Sequence, residues 1–123
     1  MKKILLISFT LICLSSVFLT ASKTYNISES QVNAIENKYG SSAKVRIEQW
    51  DSMIQTSRNE PLLNQIKNVN DFFNELTYKT DLMHWKKKDY WATPFEFIGT
   101  GAGDCEDYAI AKYFSLIKLG ISE

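Results

Sequence analysis

A glycine-rich stretch that runs directly into a helical segment constrains this chain more than any other feature. Three glycines occur within residues 99–103, and they allow positive φ angles and a close approach of the backbone. Residues 104–119 then read as a helix, which Gly120 ends. The apolar stripe of this helix consists of Ile110, Phe114 and Ile117. Cys105 therefore falls in the first turn of a helix that follows a tight turn.

The region upstream reads as three helices. Ser28 and Gln31 fit a capping box that begins the first helix, and Gly40 ends it. The second helix spans residues 42–57, and Pro61 fits the first turn of the third. Apolar residues recur at helical spacing on all three helices and are predicted to form the core. They are Val32, Ile35 and Tyr39 in the first, Val45, Ile47, Trp50, Met53 and Ile54 in the second, and Leu62, Leu63, Ile66, Val69, Phe72, Phe73 and Leu76 in the third.

The segment between these helices and the glycines is of a different kind. Residues 77–93 lose the helical period and combine charged residues with a cluster of aromatics. Thr93 and Pro94 then predict a short turn or helix before the glycines. His84, the only histidine in the chain, lies next to Trp85. We interpret it as a partly buried structural residue rather than as a catalytic base.

The N-terminus has the organisation of a secretory signal peptide. Lys2 and Lys3 precede an uncharged apolar run, and small residues follow it before polar sequence begins at Lys23. The apolar run is shorter than the roughly 20 residues that a membrane-spanning helix needs, which favours cleavage over stable membrane insertion. We therefore predict a signal peptide at residues 1–22 and an exported domain at residues 23–123.

Composition narrows the class of protein further. Hydrophobic residues make up 45% of the 123 residues, which is enough for one small packed domain. The formal net charge is zero, so the basic excess of a nucleic-acid-binding protein is absent. Loss of Lys2 and Lys3 with the signal peptide would leave the domain slightly acidic. Cys13 would be lost as well, and Cys105 would then have no intramolecular disulfide partner.

The sequence around Cys105 both favours and opposes a reactive thiolate. Free N–H groups and the dipole at a helix N-terminus stabilise a thiolate, and the same N–H groups can bind an oxyanion. Asp104, Glu106 and Asp107 add negative charge, which opposes the thiolate. One explanation for these acids is a calcium site, and the other is that they only complement the helix dipole. The glycines do not form a phosphate-binding loop, because no Gly-Lys-Ser/Thr follows them.

Two runs of sequence carry a family resemblance. They are DYWATPFE at residues 89–96 and GAGDCEDYAIAKY at residues 101–113. These runs resemble the bacterial transglutaminase-like cysteine proteinase family, an α+β family with a papain-like or transglutaminase-like core. The resemblance implies that Cys105 is the nucleophile, at the start of a helix that packs on an antiparallel sheet. It also implies that this chain is the N-terminal, mostly α-helical part of the domain and lacks most of the sheet.

The resemblance carries expectations about a cofactor and partners. It implies a calcium-dependent periplasmic endopeptidase in which acids flanking the cysteine bind calcium. Carried over to this chain, the expected ligands are Asp104 and Glu106, with Asp107 as a further candidate. The implied substrate is the N-terminal region of a large surface adhesin, whose cleavage controls biofilm release. An inner-membrane receptor for cyclic di-GMP is the implied regulatory partner.

The sequence departs from the family in one respect. The family's catalytic His and Asp lie downstream of the cysteine helix, and no such residues follow that helix here. We therefore expect this chain to be inactive in peptide hydrolysis by itself. Two alternatives stay open: a non-catalytic truncated homologue that binds calcium or a protein, and a small exported helical protein in which Cys105 is structural. Without the sheet, the apolar stripe of the cysteine helix has no partner, which predicts low stability or self-association.

Overall fold

The computed structural model describes residues 26–122, and the predicted signal peptide lies outside them. This part of the chain contains six helices and one pair of short strands. The helices are α1 (Glu29–Tyr39), α2 (Ser41–Ser57), α3 (Leu62–Asn74), α4 (Asp81–His84), α5 (Pro94–Thr100) and α6 (Cys105–Lys118), and the strands are β1 (Thr77–Tyr78) and β2 (Ala102–Gly103). Within residues 26–122 no helix is both long and apolar enough to cross a membrane.

The first two helices follow the local signals in the sequence. The backbone N–H of Gln31 donates to the hydroxyl of Ser28, and the backbone N–H of Ser28 donates to the side chain of Gln31, which completes the predicted capping box. Gly40 separates α1 from α2 with a φ of 91°, an angle that favours glycine. The predicted boundary between the two helices is therefore confirmed.

The core forms where α2, α3, α5 and α6 meet. Its largest fully buried apolar side chains are Ile47, Trp50 and Ile54 from α2, Val69 and Phe73 from α3, and Phe97 and Ile98 from α5. The rings of Phe73 and Phe97 stack with their centroids 5.8 Å apart. The indole N–H of Trp50 donates to the hydroxyl of Ser115, at 2.8 Å, and ties α2 to α6 inside the core. This interior holds α6, the helix that begins with the cysteine, against the other helices.

Part of the predicted core is exposed. Leu62, Leu63 and Ile66 lie in the N-terminal half of α3 and are exposed, with Leu63 at 79%. Hydrogen bonds between α3 and α6 lie in the C-terminal half of α3, where the ammonium of Lys112 donates to the side chains of Asn70 and Asn74. The N-terminal half of α3 therefore extends beyond these contacts. Val45 on α2 is also exposed, against our prediction.

The parallel strand pair was not predicted. Thr77 pairs with Ala102 and Tyr78 with Gly103 in the register of the two strands. The backbone N–H of Lys79 donates to the carbonyl of Gly103, at 2.8 Å. Strands of two residues are too short to show a period of two, so the sequence carries no signal for them. The pair joins the end of α3 to the glycine-rich turn before α6.

A side chain from α2 fixes the end of α5. The guanidinium of Arg46 donates from Nε to the carbonyl of Ile98, at 2.7 Å, and from Nη2 to the carbonyl of Gly99, at 2.5 Å. Gly101 then ends α5 with a φ of 71°, in the left-handed region. A Cβ at Gly101 would approach the Arg46 guanidinium within 3.1 Å. Arg46 thereby attaches the glycine-rich turn to α2.

The last helix, α6, packs on the other helices with one face, while two of the three residues of its apolar stripe stay exposed. Its buried residues are Asp107, Ala111 and Ser115. Phe114 and Ile117 of the predicted stripe are 49% and 42% exposed. The described chain is thus mostly helical, with a very small sheet, as expected for the N-terminal part of the α+β domain.

Candidate active site

Cys105 is the first residue of α6, and its thiol is free and exposed. The preceding residue, Asp104, is the N-cap of the helix. Asp104 and Asp107 form a capping box, in which each side chain accepts from the backbone N–H of the other residue. The thiol therefore projects from a helix start whose geometry is fixed by two carboxylates.

Asp107 is the most deeply buried of the acids around Cys105. One of its oxygens accepts from the backbone N–H of Ala92, at 2.7 Å, and the other accepts from that of Asp104, at 3.2 Å. Burial raises the pKa of Asp107, while these two hydrogen bonds act in the opposite direction. Asp107 thus connects the segment before α5 to the first turn of α6.

A fourth carboxylate comes from α4. Asp81 begins that short helix and is buried, and its Oδ2 accepts from the backbone N–H of Tyr90, at 2.5 Å. Carboxylate oxygens of Asp81, Asp104 and Asp107 lie within 4.8 Å of one another. Carboxylate oxygens of Asp81, Asp89 and Glu106 form a second group and also lie within 4.8 Å of one another. We call these five residues the acidic cluster: Asp81, Asp89, Asp104, Glu106 and Asp107.

The acidic cluster has the donors that a hard cation requires. Oδ1 of Asp81 and Oδ1 of Asp104 are buried and have no hydrogen-bond partner. Burial raises the pKa of Asp104 to about 6, helped by a side-chain hydrogen bond with Glu106 and by the negative charge of its neighbours. Unpartnered carboxylate oxygens crowded together are the ligand set that calcium prefers. The residues present therefore fit a calcium ion.

The structure partly rearranges the ligand set expected from the sequence. Asp104 and Asp107 share one group of close oxygens, whereas Glu106 belongs to the other. Asp81 belongs to both, and sequence reasoning missed it. A four-residue helix gives no periodic signal, so nothing in the local sequence distinguishes Asp81 from a solvated acid. Asp89 was also missed, although it lies in one of the two runs that resemble the family. The role of Asp104, Glu106 and Asp107 as metal ligands stays a prediction.

His84 has a structural partner. Its Nε2 is 3.0 Å from the hydroxyl of Thr100, and its ring packs edge-on against Trp85 with centroids 4.5 Å apart. Burial, and secondarily the charge of Lys79, lowers the pKa of His84. These contacts agree with its interpretation as a partly buried structural residue.

An exposed cysteine at the start of a helix that packs on other helices is the arrangement expected of a transglutaminase-like domain. The family described as "Bacterial transglutaminase-like cysteine proteinase BTLCP" matches residues 35–123. The chain belongs to this bacterial transglutaminase-like cysteine proteinase family. No match was found among curated proteins.

Solved structures of LapG from Legionella pneumophila are similar to this chain. Calcium-bound LapG is 38% identical with a TM-score of 0.64, and the match covers 78% of this chain and 53% of LapG. EGTA-treated LapG is 37% identical with a TM-score of 0.64, and the match covers 79% of this chain and 52% of LapG. The chain thus spans about half the length of these relatives.

Proposed function

We propose that this chain carries the nucleophile of a calcium-dependent periplasmic cysteine endopeptidase. The observation that carries the proposal is the exposed Cys105 thiol at the start of α6, next to buried carboxylate oxygens that have no partner. The similarity to LapG, one of whose structures is calcium-bound, supports the assignment. The proposed substrate is the N-terminal region of a large surface adhesin, cut to release a biofilm. An inner-membrane receptor for cyclic di-GMP is the proposed regulatory partner.

The chemistry expected of Cys105 is addition to a peptide carbonyl. The thiolate sulfur bonds to the carbonyl carbon, and the negative charge moves to the carbonyl oxygen. Backbone N–H groups in the first turn of α6 are placed to stabilise charge at this point. The C–N bond then breaks as the carbonyl re-forms, and the leaving amine takes a proton from a general acid, usually a histidine. His84 contacts Thr100 instead, so the proposal assigns this role to the His and Asp that the family resemblance places after the cysteine helix.

The proposal includes a calcium ion bound by the acidic cluster. The residues that would hold it are Asp81, Asp104 and Asp107, with Glu106 and Asp89 next to them. When bound, its positive charge would offset the carboxylates around Cys105 and so favour the thiolate. The protein's own part is to hold the carboxylates in place, through the N–H groups of Tyr90 and Ala92.

Isothermal titration of the EGTA-treated chain with calcium tests the metal site. We expect saturable binding, and we expect Asp81→Asn to weaken it about tenfold or more, because an anionic ligand becomes neutral. The asparagine side chain can still accept from the N–H of Tyr90, so the fold should persist. Asp71→Asn is the matched control, since Asp71 lies exposed on α3. Absence of calcium binding by the wild-type chain would refute the calcium part of the proposal.

The family resemblance implies cleavage at a paired-alanine site, so cleavage of a peptide that contains this site tests the activity. Cys105→Ala is the negative control, and cell fractionation tests export to the periplasm. Sequencing the gene beyond the codon for Glu123 decides how the experiment is read. A continuing frame that encodes a histidine and an aspartate on strand-like sequence supports the protease, and the longer product should then cut the peptide in a Cys105-dependent manner.

A second candidate is a non-catalytic homologue that binds calcium or a protein partner. The contact between His84 and Thr100 favours it, because this histidine is held by another side chain. This candidate predicts calcium binding with no cleavage of the peptide. A stop codon after Glu123 together with tight calcium binding would support it over the protease.

A further inference from the structure

The strand pair brings a tyrosine to the start of the cysteine helix. Tyr78 on β1 pairs with Gly103 on β2, which lies two residues before Cys105. Backbone hydrogen bonds fix this register on both sides of Tyr78. The N–H of Thr77 donates to the carbonyl of Gly101, at 3.0 Å, and the N–H of Lys79 donates to the carbonyl of Gly103, at 2.8 Å. The main chain therefore holds Tyr78 at the N-terminus of α6.

The register is maintained by the packing of Gly103. A Cβ at this position would lie 2.6 Å from an oxygen of Asp107 and 2.8 Å from a ring carbon of Phe97. Because β2 is pressed so closely against α6 and α5, the strand paired with it is carried close to the cysteine. The position of Tyr78 is thus a consequence of the core and not of a free loop.

Tyr78 and Cys105 both face solvent near the start of α6. Tyr78 is 58% exposed, and the Cys105 thiol is exposed as well. The pKa of Tyr78 is raised, and its electrostatic interaction with the nearby Cys105 is the largest cause. Tyr78 is consequently a neutral phenol at physiological pH, and a neutral phenol is a hydrogen-bond donor.

We propose that Tyr78 is a catalytic residue of the Cys105 site, whose O–H donates a hydrogen bond to the oxyanion formed when the sulfur adds to a carbonyl group. This inference rests on the proposed function. In the addition step the sulfur bonds to the carbonyl carbon, and the π pair of the carbonyl moves onto its oxygen. Tyr78 keeps its proton and stabilises that oxygen, next to the N–H groups of the first turn of α6.

Acylation by p-nitrophenyl acetate isolates this step in the chain as it stands. The sulfur adds to the ester carbonyl, the oxyanion forms, and the carbonyl re-forms as nitrophenolate leaves with its bonding electrons. Nitrophenolate is a good leaving group and needs no acid, so the reaction does not depend on a histidine. Iodoacetamide is the reference reagent, because the sulfur displaces iodide directly and no oxyanion forms.

We expect Tyr78→Phe to slow acylation of Cys105 about tenfold or more and to leave its alkylation by iodoacetamide within about twofold of the wild-type rate. Tyr113→Phe makes the same chemical change elsewhere on the surface of α6 and should alter neither rate. Tyr78→Leu is a second variant with the same expected loss, and circular dichroism checks that each variant folds.

The outcomes separate this inference from the proposed function. If Tyr78→Phe slows both reactions equally, the tyrosine acts on the thiol and not on the oxyanion, and the inference is wrong. If it slows neither reaction, the inference is also wrong, while the nucleophile assignment stands. If wild-type Cys105 reacts with both reagents no faster than glutathione does, the proposed function itself fails.

Discussion

At Gly103 the absence of a side chain determines how the site is assembled. The close contacts there involve Asp107, which holds the backbone of Ala92 and Asp104, and Phe97, which belongs to the core. A single residue therefore connects the packing of the interior to the geometry of the acidic cluster. Substitution at this position should affect both the stability of the fold and the binding of a cation.

Gly103→Ala is expected to lower the free energy of unfolding by about 1–3 kcal/mol, because the added methyl overpacks the space next to Asp107 and Phe97. It should also weaken calcium binding, since Asp107 must move. Urea denaturation and calcium titration measure the two effects. Gly120→Ala is the control: its Cβ would meet no atom within 4 Å, although a φ of 88° makes alanine strained there. A Gly103→Ala variant with unchanged calcium affinity would contradict the coupling.

The position of Cys105 at the start of a helix could be predicted from the sequence, whereas the full acidic cluster could not. Cys105 follows a glycine-rich turn and starts a periodic helix, and both signals are local. Asp81 is 23 positions earlier in the sequence than Asp104 and reaches it only through the tertiary fold. Tyr78 reaches the site through a strand pair that has no sequence pattern. Residues brought together by nonlocal packing were therefore the ones that sequence reasoning missed.

Among the elements, α6 shows the same division between local and nonlocal information. Its start and its end follow from Asp104 and Gly120, and both were predicted. The face that packs on the other helices was not predicted, because it carries Asp107, Ala111 and Ser115. The apolar stripe was expected to pack on the family's sheet instead. The polar residues on this face have partners inside the fold. Ser115 accepts a hydrogen bond from the indole of Trp50, and Asp107 accepts from the backbone N–H groups of Ala92 and Asp104.

Ser115→Ala should lower the free energy of unfolding by about 1–3 kcal/mol, because the buried indole N–H of Trp50 would lose its partner. Thermal or urea denaturation followed by tryptophan fluorescence is the appropriate measurement. Ser52→Ala, on the exposed face of α2, should change stability by less than about 0.5 kcal/mol. Equal effects of the two substitutions would show that the Trp50–Ser115 hydrogen bond contributes nothing.

The first turn of α6 should give the calcium-free chain a distinctive pH dependence. The pKa of Asp104 is raised to about 6 in the folded state, so this carboxyl binds its proton more tightly there than in the unfolded chain. Its contribution to stability is therefore full at low pH and is lost as the pH rises toward and through about 6.

Asp104→Asn tests this contribution, because asparagine keeps an N-cap side chain but cannot ionise. In EGTA, the variant should be more stable than the wild type at neutral pH, and the difference should disappear near pH 4, about the pKa of an unperturbed aspartate. Urea midpoints measured across this range provide the data. A stability difference that does not change with pH would rule out the titration of Asp104 as its cause.

For the whole molecule, the main consequence of the fold is an uncovered apolar surface on α6. Phe114 and Ile117 are 49% and 42% exposed, and Tyr113 lies next to them. Burial of one large apolar side chain contributes about 1.5–3 kcal/mol, so burying several can offset the cost of association. We expect the isolated chain to self-associate through this surface, which is one of the two outcomes, with low stability, that the sequence predicted.

Analytical ultracentrifugation over a range of concentrations tests this expectation. The double substitution Phe114→Ser and Ile117→Ser should shift the chain toward the monomer, because it removes the largest exposed part of the stripe. Val45→Ser removes an exposed apolar side chain from α2 instead and should leave the association unchanged. A wild-type chain that stays monomeric, with a sharp thermal transition independent of concentration, would contradict the prediction.

A tryptophan close to Asp81 allows binding of a metal ion to the acidic cluster to be followed by luminescence. Trp85 lies one turn along from Asp81, with its backbone N–H 2.7 Å from the Asp81 carbonyl, and its ring is 4.7 Å from that of Tyr90. Terbium is a hard cation that can replace calcium on oxygen ligands. Light absorbed by the indole could pass to a terbium ion held by these carboxylates and appear as its green luminescence. The aromatic segment would then report occupancy of the site without any added label.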